Sequence, residues 1–272
     1  MLMETQRDPG GQVCQSGQPL LAARSIEKGW GHVRALRGAD FAVWPGEIVA
    51  LIGDNGAGKS TLVKCLTGVE RPDSGEILFE GSPIELRSPI DARALGVETV
   101  YQDLSLSLHL DAAANLYLGR ELCRSGLLGF LGVLDDKRMR EATAATIHAL
   151  GVDLPDLRKP IGALSGGQRQ TVAVARAMEW ASRVVFLDEP TAALGVVQRD
   201  HVHNLIRKIR DRGIAVVLIS HNMPEVMSVA DRIEVLRLGR RVARFSASDV
   251  TMADLVGAMT GAITQSEIGD DA

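Results

Sequence analysis

The sequence predicts an α/β fold: a mostly parallel sheet core covered by helices, with an N-terminal antiparallel β subdomain and an inserted helical subdomain. Three observations carry this. EIVALIG (47–53), RVVFLD (183–188) and IAVVLIS (214–220) are nearly continuous apolar runs, as expected of strands buried on both faces. Helical stretches alternate with them, the order that builds parallel sheets. Outside that alternation, LAARSIEKGW and VRALRGADFAVWPGE read as two β segments with a turn, and residues 103–165 turn helical and alanine-rich.

Bulk properties fit this class. The 272 residues are ample for a sizeable core. Hydrophobic residues make up 46%, charged residues 24% and aromatics only 4%, so aliphatic side chains must fill the interior. A net charge of −4 argues against a nonspecific nucleic-acid binder with a strongly basic surface, so no nucleic-acid partner is expected. Cys14, Cys65 and Cys123 are far apart and form no metal spacing, which suits a reducing cytosol. The N-terminus lacks the apolar core of a signal peptide. The apolar runs AVVLI (215–219) and LLGFLGVL (127–134) are far shorter than the roughly 20 residues that span a bilayer.

Taken in order, residues 1–20 are rich in Gly, Gln, Ser and Pro and read as a disordered arm. The ordered domain is expected over 21–262. Pro45–Gly46 punctuates the chain before the strand EIVALIG, which enters a Gly-rich turn and then a helix at 59–67, stopped by Gly68. GEILFEG (75–81) is a strand, 90–96 a helix and VETVYQ (97–102) a strand. Within 103–165, DDKRMREATAATIHALG is a helix with Asp135 or Asp136 as N-cap and Gly151 as C′. A helix follows Ser165 to about Trp180. After the strand RVVFLD come a helix over 196–212 closed by Gly213, the strand IAVVLIS, a short helix after Pro224 and the strand RIEVLRL. Gly239 turns the chain into RVARF, and a last helix begins at a Ser–Asp cap in SDVTMADLVGAM. Residues 263–272 form an acidic tail, read as disordered.

The strand EIVALIG runs into GDNGAGKST (53–61), a phosphate-loop pattern of Gly, four residues and Gly-Lys-Ser. Gly53, Gly56 and Gly58 let the backbone bend and approach a phosphate. The loop amides, Asn55 among them, then face an anion at a helix start, where the dipole favours negative charge. Lys59 places a cation on the β and γ phosphates, Ser60 offers a hydroxyl to Mg²⁺, and Thr61 adds a contact. A phosphate loop needs a second strand bearing an acid. VVFLDEP supplies two: Asp188 for the metal and Glu189 to polarise an attacking water. The plain alternative is a pair of acids flanking Pro190 at a helix entry. Between these motifs LSGGQ (164–168) sets a serine and two glycines at a helix start, either a second anion site or an ordinary cap.

GDNGAGKST, VYQD, LSGGQ, VVFLDEP and ISH together resemble, in type and order, the nucleotide-binding domains of ABC ATPases, which are phosphate-loop NTPases. The resemblance covers about residues 21–250, and it implies ATP and Mg²⁺ as cofactors. Position by position, it implies that Trp30 stacks on adenine and that Gln102 touches metal and water. It implies that Ser165, Gly166, Gly167 and Gln168 close on the nucleotide of another subunit. It implies that His221 bonds the γ-phosphate and holds Glu189 and the water in line. It also implies a head-to-tail dimer, here a homodimer.

DAAANLYLGRE, DEPTAALGV and ISHNMPEVMSVADRI further resemble the ATPases of bacterial sugar importers of the ribose, xylose and fructose group. The implied partners are integral membrane permease subunits and, indirectly, a periplasmic sugar-binding protein. The implied place is the inner face of the plasma membrane. Gly195 stands where the general family has aspartate, a variant frequent in the sugar group. LLGFLGVL is either part of a contact with a membrane subunit or an internal packing loop. The alternatives are a soluble ABC-type ATPase acting on ribosomes or DNA, and a nucleotide-dependent regulator that does not turn over.

Overall fold

The computed structural model describes residues 17–101, 104–149, 154, 156–192 and 194–263. The chain forms two compact units, one of residues up to Thr99, Ala181–Glu189 and Ile209 onward, the other of Val100–Trp180 and Pro190–Lys208. The segment 103–165, expected as an insertion, falls within the second.

In the first unit, β1 (Leu21–Trp30), β2 (Val33–Val43), β4 (Ser74–Phe79) and the short β5 (Ser82–Ile84) form an antiparallel sheet in the order β2-β1-β4-β5. A second sheet has the order β10-β9-β3-β8-β7-β6, with β3 (Ile48–Ile52), β6 (Val97–Val100), β7 (Val184–Asp188), β8 (Ala215–Ile219), β9 (Arg232–Arg237) and β10 (Arg240–Ser246). β3 is parallel to β8 and β9, and β7 to β8; only the β9–β10 hairpin is seen to run antiparallel. Every residue of β3 and β8 is buried, which is why both read as solid apolar runs. Phe41, Leu51, Leu62, Leu66 and Phe186, at most 1% exposed, anchor the core between the sheets and α1 (Lys59–Leu66).

This topology positions the site. β3, β8 and β7 are neighbours and parallel, so their carboxyl ends share one edge of the sheet. Strands lie about 4.8 Å apart. Residues that follow these three strands are therefore brought within reach of one another, although they are remote in sequence.

An ionic cluster ties the two sheets together. Arg232 donates to Glu47 Oε1 at 2.6 Å, to Glu234 and to the carbonyl of Ala42, with its guanidinium 5.0 Å from the Trp44 ring. Glu47 also accepts from the Trp44 N–H at 2.8 Å. Burial pushes the Glu47 carboxyl above its usual range against the pull of Arg232. Removing one partner would strand a buried charge, which makes such a clamp hard to break singly.

The second unit contains α3 (Ala112–Tyr117), α4 (Leu127–Phe130), α5 (Asp136–Ala149), α6 (Gly166–Trp180) and most of α7 (Val196–Asp211). The Asn115 side chain, fully buried, bonds the backbone of Ser107, Leu110 and Asp111 and so fixes the entry to α3. Tyr117 meets the Trp180 ring edge-on at 5.5 Å, and Glu179 accepts from Tyr117 and Thr146. Phe130 and Leu131 are 88% and 67% exposed, so those two side chains of the apolar stretch are not packed internally.

Several boundaries differ from the sequence reading. Asp135, not Asp136, caps α5, accepting the Arg138 N–H at 3.2 Å; Gly151, its expected C′, lies outside the described residues. The short helix α8 (Met223–Val229) begins before Pro224, because Asn222 caps it and proline is tolerated in a first turn. The last helix, α9 (Met252–Thr260), is capped by Thr251 with a reciprocal Asp254, while the Ser248 hydroxyl pairs with Ser246 instead. Of the expected arm 1–20, Leu20 is buried and its N–H bonds Val43, continuing the sheet. α2 (Pro89–Ala94) matches its expectation, with a Ser88–Asp91 capping box.

Candidate nucleotide site

The loop after β3 turns into α1 at Gly58, which sits in the left-handed region and offers no side-chain cap, so the first amides of the helix keep no partner from a capping side chain. Two of the loop glycines answer to the protein itself. A Cβ on Gly53 would lie 2.2 Å from the Leu236 carbonyl oxygen on β9, and one on Gly58 would lie 2.7 Å from that of Ala35 on β2. Gly56 differs: a Cβ there would meet nothing within 4 Å. Its open face is where an external group can approach.

Lys59 crosses its own loop. The ammonium donates to the Gly53 carbonyl at 2.7 Å and to that of Asp54 at 3.1 Å. Burial pushes its pKa below the usual lysine range, against the pull of Glu189, Asp54 and Asp188. Asn55 and Ser60 are exposed, and Thr61 is half-buried. An anion at the helix start would compete with two neutral carbonyls for this cation, and a charged acceptor forms the stronger bond.

The carboxyl ends of β7 and β8 bring the other groups. Asp188 is half-buried, and burial followed by the charge of Glu189 raises its carboxyl above the usual range. Glu189 adopts a left-handed conformation (φ 51°), uncommon for a non-glycine residue, and its N–H bonds the Ile219 carbonyl at 2.9 Å. The two adjacent acids thus sit in different backbone settings, Asp188 at the end of β7 and Glu189 in a left-handed turn. His221 follows β8. Its Nδ1 lies 2.7 Å from Glu189 Oε1. Against an ionised carboxylate, which only accepts, Nδ1 is the donor, and a phosphate oxygen could accept from Nε2 only when that nitrogen is protonated as well.

Lys59, Asp188, Glu189 and His221 thus come together at one sheet edge. Trp30 ends β1 with its ring 45% exposed and Lys28 at 5.7 Å from the ring centre, leaving much of one surface for stacking. Gln102 lies outside the described residues. The signature belongs to the second unit. There Ser165 and Gln168 form a reciprocal capping box: Gln168 N–H donates to Ser165 Oγ at 3.3 Å, and Ser165 N–H to Gln168 Oε1 at 2.9 Å. Gly166 opens onto empty space, whereas a Cβ on Gly167 would press on Gln198 of α7. The carbonyl of Gly195 accepts the Arg199 N–H at 3.0 Å, which makes Gly195 the N-cap of α7.

Sequence reading missed three contributors. Asp73 accepts the Gly29 N–H at 2.8 Å and the Lys28 ammonium at 3.2 Å, holding the end of β1 just before Trp30. Nothing local marks it, because its partners are more than 40 positions away in the chain. Ser220 and Glu225 surround His221. The spacing Asn222-x-x-Glu225 is a readable capping signal.

Comparisons with known proteins place the chain in a family and a fold. The family model described as ABC transporter matches residues 36–192. The fructose import ATP-binding protein FrcA of Rhizobium meliloti is 51% identical over 247 residues, covering 90% of this chain and 95% of that protein. The xylose/arabinose import ATP-binding protein XylG of Sulfolobus acidocaldarius is 41% identical over 89% of this chain and 94% of its own length. An ATP-binding cassette of an ABC transporter, solved in its ADP conformation, superposes with a TM-score of 0.74 at 25% identity, covering 89% of this chain and 99% of that one.

Proposed function

We propose, from the premise that this chain belongs to the ABC transporter family, that it is the ATP-binding and ATP-hydrolysing subunit of a sugar importer. The observation that carries the hydrolytic reading is the His221–Glu189 contact at 2.7 Å beside Lys59 and Asp188. The 51% identity to a fructose import protein across nearly its whole length supports import of a monosaccharide.

In this reading Gly53, Asn55, Gly56 and Gly58 cradle the phosphates, Lys59 neutralises them, and Thr61 adds a contact. Trp30 stacks on the adenine. Glu189 takes a proton from the attacking water, and His221, protonated on both ring nitrogens, donates to that carboxylate from Nδ1 and to the γ-phosphate from Nε2. Ser165, Gly166, Gly167 and Gln168 close on the nucleotide of a second copy in a head-to-tail homodimer. For this the amides of Gly166 and Gly167 lie in the first turn of α6, between the two residues of the Ser165–Gln168 box.

Mg²⁺ fits the donors present. Among the described residues no group of three His, Cys, Asp or Glu side chains could cage a metal alone. Mg²⁺ needs only one or two protein oxygens besides phosphate and water. The exposed Ser60 hydroxyl and the half-buried Asp188 carboxylate at the end of β7 would hold it with Gln102. When bound, it would withdraw charge from the phosphate oxygens.

No described helix is long and apolar enough to cross a membrane. In this reading separate permease subunits carry out the transport step, with a periplasmic sugar-binding protein acting upstream and this chain seated peripherally on the inner face of the membrane, as its likeness to import ATP-binding proteins supports. Two experiments test the reading. Glu189→Gln should bind Mg-ATP yet lose at least about 100-fold in turnover; unchanged turnover removes Glu189 from its role. The tagged chain should co-purify with a multi-span membrane protein, and a chain recovered with ribosomes or DNA instead would replace import by a soluble function.

A further inference from the structure

The structure assigns to Ser220 and Glu225 the task of positioning His221 against Glu189. This rests on the roles given above to His221 and Glu189, and it deepens them.

His221 is an exposed side chain, 74% accessible, whereas Glu189 is only 16% accessible. No wall of packed neighbours can orient an exposed imidazole. Its direction has to come from the backbone of Ser220, His221 and Asn222. One end of that segment is secured by β8, where Ile219 pairs with Leu51 and Asp188 and accepts the Glu189 N–H. The other end is secured by a relay. Asn222 N–H donates to Ser220 Oγ at 3.1 Å, closing a tight turn around His221. The Ser220 hydroxyl, 1% exposed, donates onward to Glu225 Oε2 at 3.3 Å. Glu225, 4% exposed, returns to the start of α8 through its own N–H, which donates to Asn222 Oδ1 at 3.3 Å.

In an ordinary capping box the third helical residue bonds the cap residue's N–H directly. Here a serine hydroxyl stands between them, and the residue spanned by the detour is His221. Placing a buried carboxylate under the loop is unfavourable unless it is hydrogen-bonded. Helix capping alone needs neither Ser220 nor a buried carboxyl group, since Asn222 already caps α8. The same short segment thus holds both reacting partners: Ile219 fixes the Glu189 backbone, and Ser220 with Glu225 fixes the imidazole that meets its carboxylate.

The test is steady-state ATP hydrolysis by the full chain, with the rate normalised to bound nucleotide and folding checked by thermal unfolding. Glu225→Ala and Ser220→Ala should each lower kcat between about tenfold and a hundredfold, the scale of a small misplacement of a reacting group. The KM for ATP should stay within about twofold, because neither residue touches nucleotide. Glu225→Gln keeps an acceptor for the Ser220 hydroxyl and should recover most of the rate. A kcat unchanged in both alanine variants overturns the inference, as does a Gln variant as slow as Ala or a loss confined to KM. If Glu225→Ala does not fold, Ser220→Ala decides the question on the same readout. Glu189→Gln run alongside separates the two levels: full turnover there refutes the role of Glu189 itself, while loss there with intact Ser220→Ala and Glu225→Ala refutes only the positioning role.

Discussion

Replacing Gly58 by alanine should harm the fold, whereas replacing Gly56 should harm the ligand. Both residues have positive φ, 104° and 79°. A Cβ in that region costs about 1–2 kcal/mol. At Gly56 the account ends there, because the new methyl meets nothing within 4 Å. At Gly58 the methyl would stand 2.7 Å from the Ala35 carbonyl oxygen and 2.9 Å from Leu36 Cδ2. The carbonyl belongs to β2 and cannot rotate away, so overpacking adds about 1–3 kcal/mol. For a domain of this size each kcal/mol moves Tm by roughly 2–4 °C. Differential scanning calorimetry without nucleotide should therefore show a distinctly larger fall for Gly58→Ala than for Gly56→Ala. Titration calorimetry with ATP should show the reverse order of interest: Gly56→Ala stays folded and loses affinity, since only a ligand occupies the space its methyl fills. Equal Tm values for the two variants, or wild-type ATP affinity in Gly56→Ala, would refute the division of labour between these glycines.

Further outcomes are expected elsewhere. Hydrogen bonds from the Gly29 N–H and from Lys28 hold the Asp73 carboxyl below its usual range. A lowered folded pKa means that this group stabilises the fold above the ordinary carboxylate value and that the contribution is lost as pH falls through the depressed value. Asp73→Asn should accordingly lower Tm at neutral pH, with the gap to wild type closing under acid, and a gap independent of pH would contradict this. In Gly195→Asp the new Cβ would lie 2.6 Å from Gln198 Oε1, so the flexible Gln198 side chain has to turn aside, after which the better N-cap should stabilise α7 by a few tenths of a kcal/mol. A marked change in the cooperativity of ATP hydrolysis would show in addition that the position serves communication between sites. Burial pushes the Cys65 thiol up to about 11, while Cys123 is exposed. Iodoacetamide near neutral pH should modify Cys123 and spare Cys65, as mass spectrometry of peptides would reveal.

What the sequence determined by itself was everything local. Continuous apolar runs located β3, β7 and β8, because a strand buried on both faces has no polar side to show. The glycine spacing located the phosphate loop, since positive φ at Gly56 and Gly58 is a property of single residues. The capping chemistry of Ser165 lay within a few positions of it. Short β5 and the exact caps of α8 and α9 were less legible, because a three-residue strand has no period and several Ser, Thr, Asp and Asn residues compete for each cap.

Only the tertiary structure decided which remote residues meet. The order β3-β8-β7 sets Glu189 beside His221 across 32 positions of sequence, an adjacency that the motifs implied only through their resemblance to a family and that no local spacing encodes. It also decided why two of the loop glycines are glycines: the Leu236 and Ala35 carbonyls leave Gly53 and Gly58 no room for a side chain, a constraint set by β9 and β2 rather than by any phosphate. And it gave the acids of VVFLDEP, to which the motifs had already assigned different tasks, different backbone settings. The left-handed turn at Glu189, locked by the Ile219 carbonyl, aims one carboxylate at His221 and leaves the other at the end of its strand. Contact between distant segments depends on how strands are ordered in a sheet, and that order emerges only when the whole core packs.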